Sequence, residues 1–395
     1  MKKLFLVIFI MTGLFTSANG QGNEGYVFTP VKELKITPIQ NQNRTGTCWC
    51  FSTLAFIESE LIRMGKGEHN FSEMFVVNHT YRDKAEKYVR MHGTMEFAEG
   101  GAFDDVIYAI KHYGLVPEDV MPGKEYGEDA HVHSEMAAAM RGYVDAIIKN
   151  PNRKLSTAWK NGFNAIADAY LGELPEKFVY QGKEYTPLSL LKELGLNMDD
   201  YISLTSYSHH PFYATFPLEI PDNWRWSASY NLPIDELMQV MDNAVNTGYT
   251  IAWASDVSEN GFTRNGIGVM PDVTAIETAG SDQARWVGLS ATEKNAEIQK
   301  MIDQPGLQEL WATQEMRQEA FDNYQTTDDH GMQIYGIAKD QNGKKFYMVK
   351  NSWGTDSKYN GIWYVSEAFA RYKTMDIIVH KNAIPAAIKT KLGLR

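Results

Sequence analysis

A chain of 395 residues with 44% hydrophobic content can bury a large core in one elaborated domain or two lobes, which excludes a disordered or fibrous protein. The formal charge of −11 at pH 7 argues against a nucleic-acid partner, which needs a basic footprint. Cys48 and Cys50 are the two cysteines, spaced too closely on one helix for an ordinary disulfide, so packing must stabilise the fold.

Residues 1–20 carry Lys2 and Lys3, an apolar run from Leu4 to Met11 that extends through Leu14 and Phe15, then Ala18-Asn19-Gly20. This pattern predicts a secretory signal peptide cut before Gln21 and a periplasmic or secreted protein. The apolar core is shorter than the ~20 residues a membrane span requires. No cysteine follows the cut to carry a lipid, and no later stretch reaches transmembrane length, so no membrane association is expected after removal of the signal.

Residues 21–41 read as extended chain, with Pro30 and Pro38 as breakers. Phe51, Leu54, Ala55, Glu58, Leu61 and Ile62 then recur at three-to-four spacing and predict a helix over Cys48–Met64, ended by Gly65. Cys48 falls at its N-terminus, where free amides and the positive end of the helix dipole favour a thiolate. Cys50 lies about 200° around the axis and reads as a small core residue.

Helical spacing recurs over Phe71–Val89 and Phe103–Tyr113, separated by Gly100-Gly101. The glycine pair reads as a turn or as a place where a substrate backbone approaches closely. Residues 118–323 read as an ordered elaborating insertion, with helices near His133–Ile148, Leu155–Leu171, Pro187–Leu194 and Pro233–Asn246 and a strand at Tyr249–Ala254. Within it, His209-His210 lacks an evident third ligand and gives only weak grounds for a metal.

Met332–Ala338 and Lys345–Val349 have strand content, and Asp340-Gln341-Asn342-Gly343 between them is a hairpin signal. Folding at that turn brings His330 and Asn351 to mirror positions within about four residues of each other on neighbouring strands. A nucleophilic thiol needs a base, the base an orienting partner, and the carbonyl oxygen a donor as it turns negative. Cys48, His330, Asn351 and Gln42 fit those four parts.

Gln42, Cys48-Trp49, His330 followed by a small residue, and Asn351-Ser352-Trp353-Gly354 resemble the papain-like cysteine peptidases in the order of their catalytic residues. Asn41-Gln42, Gly100-Gly101 before a helix, Tyr113-Gly114-Leu115-Val116-Pro117 and Tyr185-Thr186-Pro187-Leu188-Ser189 are similar to the bleomycin hydrolase and aminopeptidase C branch. The resemblance implies an α+β, two-lobed fold, with a helical lobe carrying the nucleophile, an antiparallel β lobe carrying His330 and Asn351, and a long, mostly helical insertion. It covers most of the chain after the signal, strongly at the two catalytic blocks and weakly across 125–320. Cys50 departs from the branch, where an apolar residue is frequent, and the acidic charge gives no reason to carry over the DNA binding of some members.

The resemblance implies hydrolysis of peptide bonds through a Cys48 acyl-enzyme, with a resting imidazolium and thiolate, an oxyanion held by Gln42 and the Cys48 amide, and no metal or organic cofactor. Trp353 is expected to cover the Asn351–His330 contact, and Gly100 and Gly101 to line the substrate path. In the branch the C-terminal arm lies in the cleft and its carboxylate receives the amino group of the substrate, which here would place Arg395 in the site and make the enzyme an aminopeptidase on small peptides. The branch also implies a homo-oligomer, a hexameric ring. An endopeptidase or an acyl transferase would use the same thiol, and a silent binding scaffold would keep the fold without an activated one.

Overall fold

The computed structural model describes residues 25–273 and 289–394. The signal expected at 1–20 lies outside the described residues, and so does Arg395. None of the described helices is long and apolar enough to cross a membrane.

In chain order the first part runs β1 (Thr29–Glu33), α1 (Cys48–Arg63), α2 (Glu73–Arg90), α3 (Phe103–Tyr113), α4 (Ser134–Ile148), α5 (Ala158–Leu171), the hairpin β2 (Phe178–Tyr180) and β3 (Lys183–Tyr185), and α6 (Pro187–Leu194). There follow β4 (Tyr201–Thr205), β5 (Thr215–Pro217), β6 (Ala228–Asn231), α7 (Ile234–Asn246), β7 (Ile251–Ser255), β8 (Ile267–Gly268), α8 (Ala291–Ile302) and α9 (Gln314–Asp322). The chain closes with β9 (His330–Lys339), β10 (Lys345–Lys350), β11 (Ile362–Ser366), α10 (Glu367–Lys373), β12 (Thr374–His380) and α11 (Ala386–Lys391).

Local chemistry sets the helix ends. Ser72 caps α2 by accepting from the Phe75 amide, and Thr186 and Ser189 cap α6 reciprocally, with Pro187 at its first turn and left-handed Gly195 at its end. Thr47 gives α1 no side-chain cap. The first amides of α1 are therefore left for other partners.

Two apolar clusters form the lobes. In one, α1, α2 and α3 pack through residues such as Leu54, Phe56, Phe75, Val106 and Ile110. In the other, α7 covers the sheet through Leu237 and Met241 against Trp253, Ile334, Val349 and Ile377. Each such side chain contributes about 1.5–3 kcal/mol on burial. Helix α1 is buried from Trp49 to Leu61 because it runs between the lobes. Gln333 of β9 reaches across to it, donating to the Ala55 carbonyl at 3.1 Å and to Ser59 Oγ at 2.8 Å.

The main sheet has the order β5-β6-β4-β12-β7-β9-β10-β11-β8, and β1 also pairs with β9. Contrary to the sequence reading, the β lobe is not wholly antiparallel, since β4–β6 and β8–β11 are parallel pairs. The insertion is mostly helical in its regular structure, through α4 to α9, but it also supplies β4 to β8, which join the main sheet. These strands are two to five residues long; β7 was legible as the apolar run at Tyr249–Ala254, whereas the others are too short to show a period in the sequence.

Candidate active site

The segment before Cys48 is tied down at several points. The Gln42 amide donates to the Ser352 carbonyl at 2.8 Å, Ser352 Oγ donates to Gln42 Oε1 at 2.6 Å, and the Gly46 amide donates to Glu99 Oε2 at 2.7 Å. Cys48 then opens α1. The backbone amides of Gly331 and Trp49 hydrogen-bond its sulfur. A side chain at position 331 would prevent this approach, since a Cβ there would stand 2.8 Å from both Phe103 Cε1 and Ser52 Oγ.

The hairpin supplies the other half. A bulge between Met348 and Val349 shifts the β9–β10 register so that Lys350 faces Gln333, which moves Asn351 one residue closer to His330 than a regular ladder would. His330 Nε2 lies 2.8 Å from Asn351 Oδ1. Because that oxygen can only accept, Nε2 carries the proton and Nδ1 is left as the basic nitrogen. Trp353 stacks on the imidazole with centroids 4.6 Å apart and is braced edge-on by Trp363 and Phe262. It thus covers the His330–Asn351 bond while part of its own surface stays exposed.

Cys48 and His330 line one cavity of about 20 Å³ with Trp49, Gly101, Phe103 and Ala254. Burial dominates their ionisation: it pushes the Cys48 thiol up to about 12, with Asp328 and Asp222 adding to the rise and the Gly331 amide opposing it. His330 is driven down to about 4 by burial, against the Asn351 hydrogen bond. Taken singly, each group is thus held toward its neutral form. Either charge alone is costly, so the two arise together, by transfer of the thiol proton.

Gln42 is buried, and its Nε2 donates to the Thr45 carbonyl at 2.8 Å, leaving one N–H of the amide for another acceptor. Gly101 lines the cavity. Gly100 does not serve as open backbone for substrate, because its vacant side is filled by the Asp222 carboxylate, 2.2 Å from where a Cβ would be. Arg395, expected in the site, lies outside the described residues. Helix α11 and the residues after it pack on the β lobe through Ile388, Leu392 and Leu394, with Lys391 paired to Glu236. None of residues 385–394 lines the cavity.

The lining also carries Asp222, Asp328, Asp329 and Asp376, and sequence reasoning missed this acidic part. Asp328 and Asp329 were reachable as near neighbours of His330, whereas Asp222 and Asp376 lie far from the other site residues in the chain. Glu219 was also missed. It takes both imidazoles, at 2.9 Å from His209 Nε2 and 2.7 Å from His210 Nε2. These three could face a metal ion, but their mutual hydrogen bonds already account for the arrangement. Cys50 is fully buried, with its sulfur 3.5 Å from the Glu73 carbonyl, as a small core residue would be.

With this geometry in place, the comparisons are informative. The profile of the papain family cysteine proteases matches residues 28–166, and that of a peptidase C1-like family matches residues 306–393. Aminopeptidase G of Lactobacillus delbrueckii subsp. lactis is 22% identical over 89% of this chain and 82% of its own length. Aminopeptidase E of Lactobacillus helveticus is 23% identical over the same shares. The crystal structure of PepW from Lactobacillus rhamnosis HN001 superposes with a TM-score of 0.69 at 19% identity, covering 92% of this chain and 84% of that one. At that identity the likeness speaks for the fold.

Proposed function

Since the chain belongs to the papain-like cysteine peptidases, on the branch of the C-type aminopeptidases and bleomycin hydrolase, we propose that it is an aminopeptidase releasing N-terminal residues from small peptides through a Cys48 acyl-enzyme. The observation that carries this reading is the 2.8 Å His330–Asn351 contact, roofed by Trp353, in the cavity that holds Cys48. The aminopeptidase names of relatives aligned over most of both chains support the exopeptidase part.

The chemistry follows from the atoms. Nδ1 of His330 takes the Cys48 proton as the sulfur attacks the scissile carbonyl, and the start of α1 with the Gly331 amide stabilises the developing negative charge on sulfur. The Cys48 amide and the free N–H of Gln42 receive the oxyanion, each such donor contributing about 3–4 kcal/mol. His330 then protonates the leaving amine, and water drawn in by the same imidazole hydrolyses the thioester. Export through residues 1–20 and assembly into a homo-oligomeric ring belong to the same proposal. Neither a nucleic-acid nor a membrane partner is part of it.

A matched pair of short peptides tests the reading, one with a free and one with an acetylated amino terminus. Cleavage of the free peptide alone is expected; equal cleavage of both would mean an endopeptidase. Asn351→Ala should lower kcat by about 10²-fold, because the ring is no longer held in its productive orientation. The pH profile of kcat/KM gives a second check. Burial depresses His330, so its imidazole can accept the thiol proton above about pH 4 and loses that capacity as pH falls through it. Because the Asn351 bond raises His330, the alanine variant should carry its acid limb to still lower pH.

A further inference from the structure

The segment Leu218–Ser227 is held rigidly against the helical lobe. Asn223 Nδ2 donates to the Leu218 and Ser227 carbonyls, Trp224 Nε1 donates to Asp105 Oδ2 at 2.9 Å, and Arg225 Nε donates to Asp105 Oδ1 at 2.8 Å. This anchoring presses Asp222 against Gly100, beside the nucleophile. Asp328, which lines the same cavity, comes from the segment that leads into β9. A larger cleft of about 400 Å³ adjoins, and Ile220, Asp222 and Asp328 line both spaces, so they form the wall between them. The wall segment lies between the stretches matched by the two family profiles, 28–166 and 306–393.

A wall next to the nucleophile limits how far a peptide can extend past Cys48 on that side. Its carboxyls are crowded together and poorly compensated, so they are held toward the neutral form until a cation arrives to ionise them. Burial holds the Asp328 carboxyl well above the usual range, and among the described residues the carboxyls of Asp222, Asp376 and Asp329 add to the rise. Lys84 is the cation that acts on Asp222, where Asp105 and Glu96 oppose it and burial outweighs all three. The Lys84 ammonium is itself engaged by the Ala98 and Gly100 carbonyls. Asp376, on β12, is pushed up to about 7 by burial, with Ser203 as its hydrogen-bond partner.

We propose that Asp222 and Asp328 receive the free α-ammonium of the substrate, fixing the first residue of the peptide over Cys48. The size of the cavity, about 20 Å³, suits one water-sized ammonium head and is too small for a guanidinium. An acetylated terminus would bring a carbonyl oxygen to the two carboxylates in place of a cation, and a longer peptide would meet the wall. The same two carboxylates disfavour a negative sulfur at Cys48. A bound ammonium therefore also eases formation of the nucleophile. This receptor is built into the body of the chain, whereas the described tail packs on the β lobe. The inference rests on the aminopeptidase reading and names the groups that enforce it.

The test uses the full-length protein without its leader and Asp222→Asn, Asp328→Asn and the double variant, each assayed on the free and acetylated peptides. Alkylation of Cys48 by uncharged iodoacetamide runs alongside to report the state of the site. The double variant is expected to lose at least 30-fold in kcat/KM on the free peptide, mostly through KM, to keep or raise its rate on the acetylated one, and to alkylate as fast as wild type or faster. Each single variant should narrow the preference at least fivefold; because the two residues stand on separate segments, misfolding of one variant leaves the other informative. A folded single or double variant that keeps the wild-type preference for the free peptide overturns the inference and leaves the aminopeptidase reading standing. Wild-type protein that cleaves both peptides equally overturns that reading, and the receptor with it.

Discussion

Cys48→Ala protein should hydrolyse the free peptide about 10⁵–10⁶-fold more slowly than wild type while melting at the same temperature. Among the described residues that line the cavity, the Cys48 thiol is the group placed to form the acyl-enzyme, and the His330 imidazole takes its proton in the first step. His330→Ala should cost a similar factor, because at a thiol pushed up to about 12 the free anion is scarce without a base to remove its proton. The two residues act as one unit, so the double variant should be no slower than the worse single one. Single-turnover kinetics on the three proteins would check this. Additive losses would show that the histidine works on something other than the thiol.

The second large effect is structural. Lys350 closes β10 with its ammonium buried, donating to the Thr37 carbonyl at 3.0 Å and Thr37 Oγ1 at 2.9 Å. Thr37 Oγ1 in turn donates to Glu58 Oε2 at 2.6 Å, and Glu58 Oε1 accepts from the Phe71 amide. Lys350 offsets the burial that raises both Glu58 and Glu73. Lys350→Met should therefore destabilise the protein by about 3–5 kcal/mol, since a partner of a buried charge is removed and the charge remains. Urea unfolding should show the loss, and adding Glu58→Gln should return part of it. Equal stability of the single variant and wild type would mean that the carboxyls carry no charge in the folded state.

The parts of the fold legible in the sequence were those written locally. Helix α6 matches the reading residue for residue because Thr186, Pro187 and Gly195 mark both ends. The β9–β10 hairpin follows from Asp340-Gln341-Asn342-Gly343 between two apolar runs. His330 and Asn351 flank that hairpin, so their meeting could be worked out before any coordinates. The bulge at Met348 and Val349 could not, because nothing in those two residues marks it.

What stayed hidden depends on distant contacts. Lys350 read as one more strand residue, although its environment is set by Thr37 and Glu58 from other parts of the chain. The glycine pair was read as a substrate path, yet at Gly100 the missing side chain makes room for Asp222. Charge in a cavity cannot be read from composition, and Asp222 and Asp328 look like ordinary surface aspartates until Leu218–Ser227 is folded against α3.

The Gln333 link between the lobes has a dynamic consequence. The nucleophile rides on α1 and its base on β9, and a hinge opening along the cleft would have to pull Gln333 from both Ala55 and Ser59 with no water to replace them. Amide hydrogens of α1 and of the first half of β9 should then exchange with deuterium at a common slow rate, through unfolding of the whole molecule and not through local breathing. The room a peptide needs beside Cys48 must then come from side chains that line the cavity and not from a parting of the lobes.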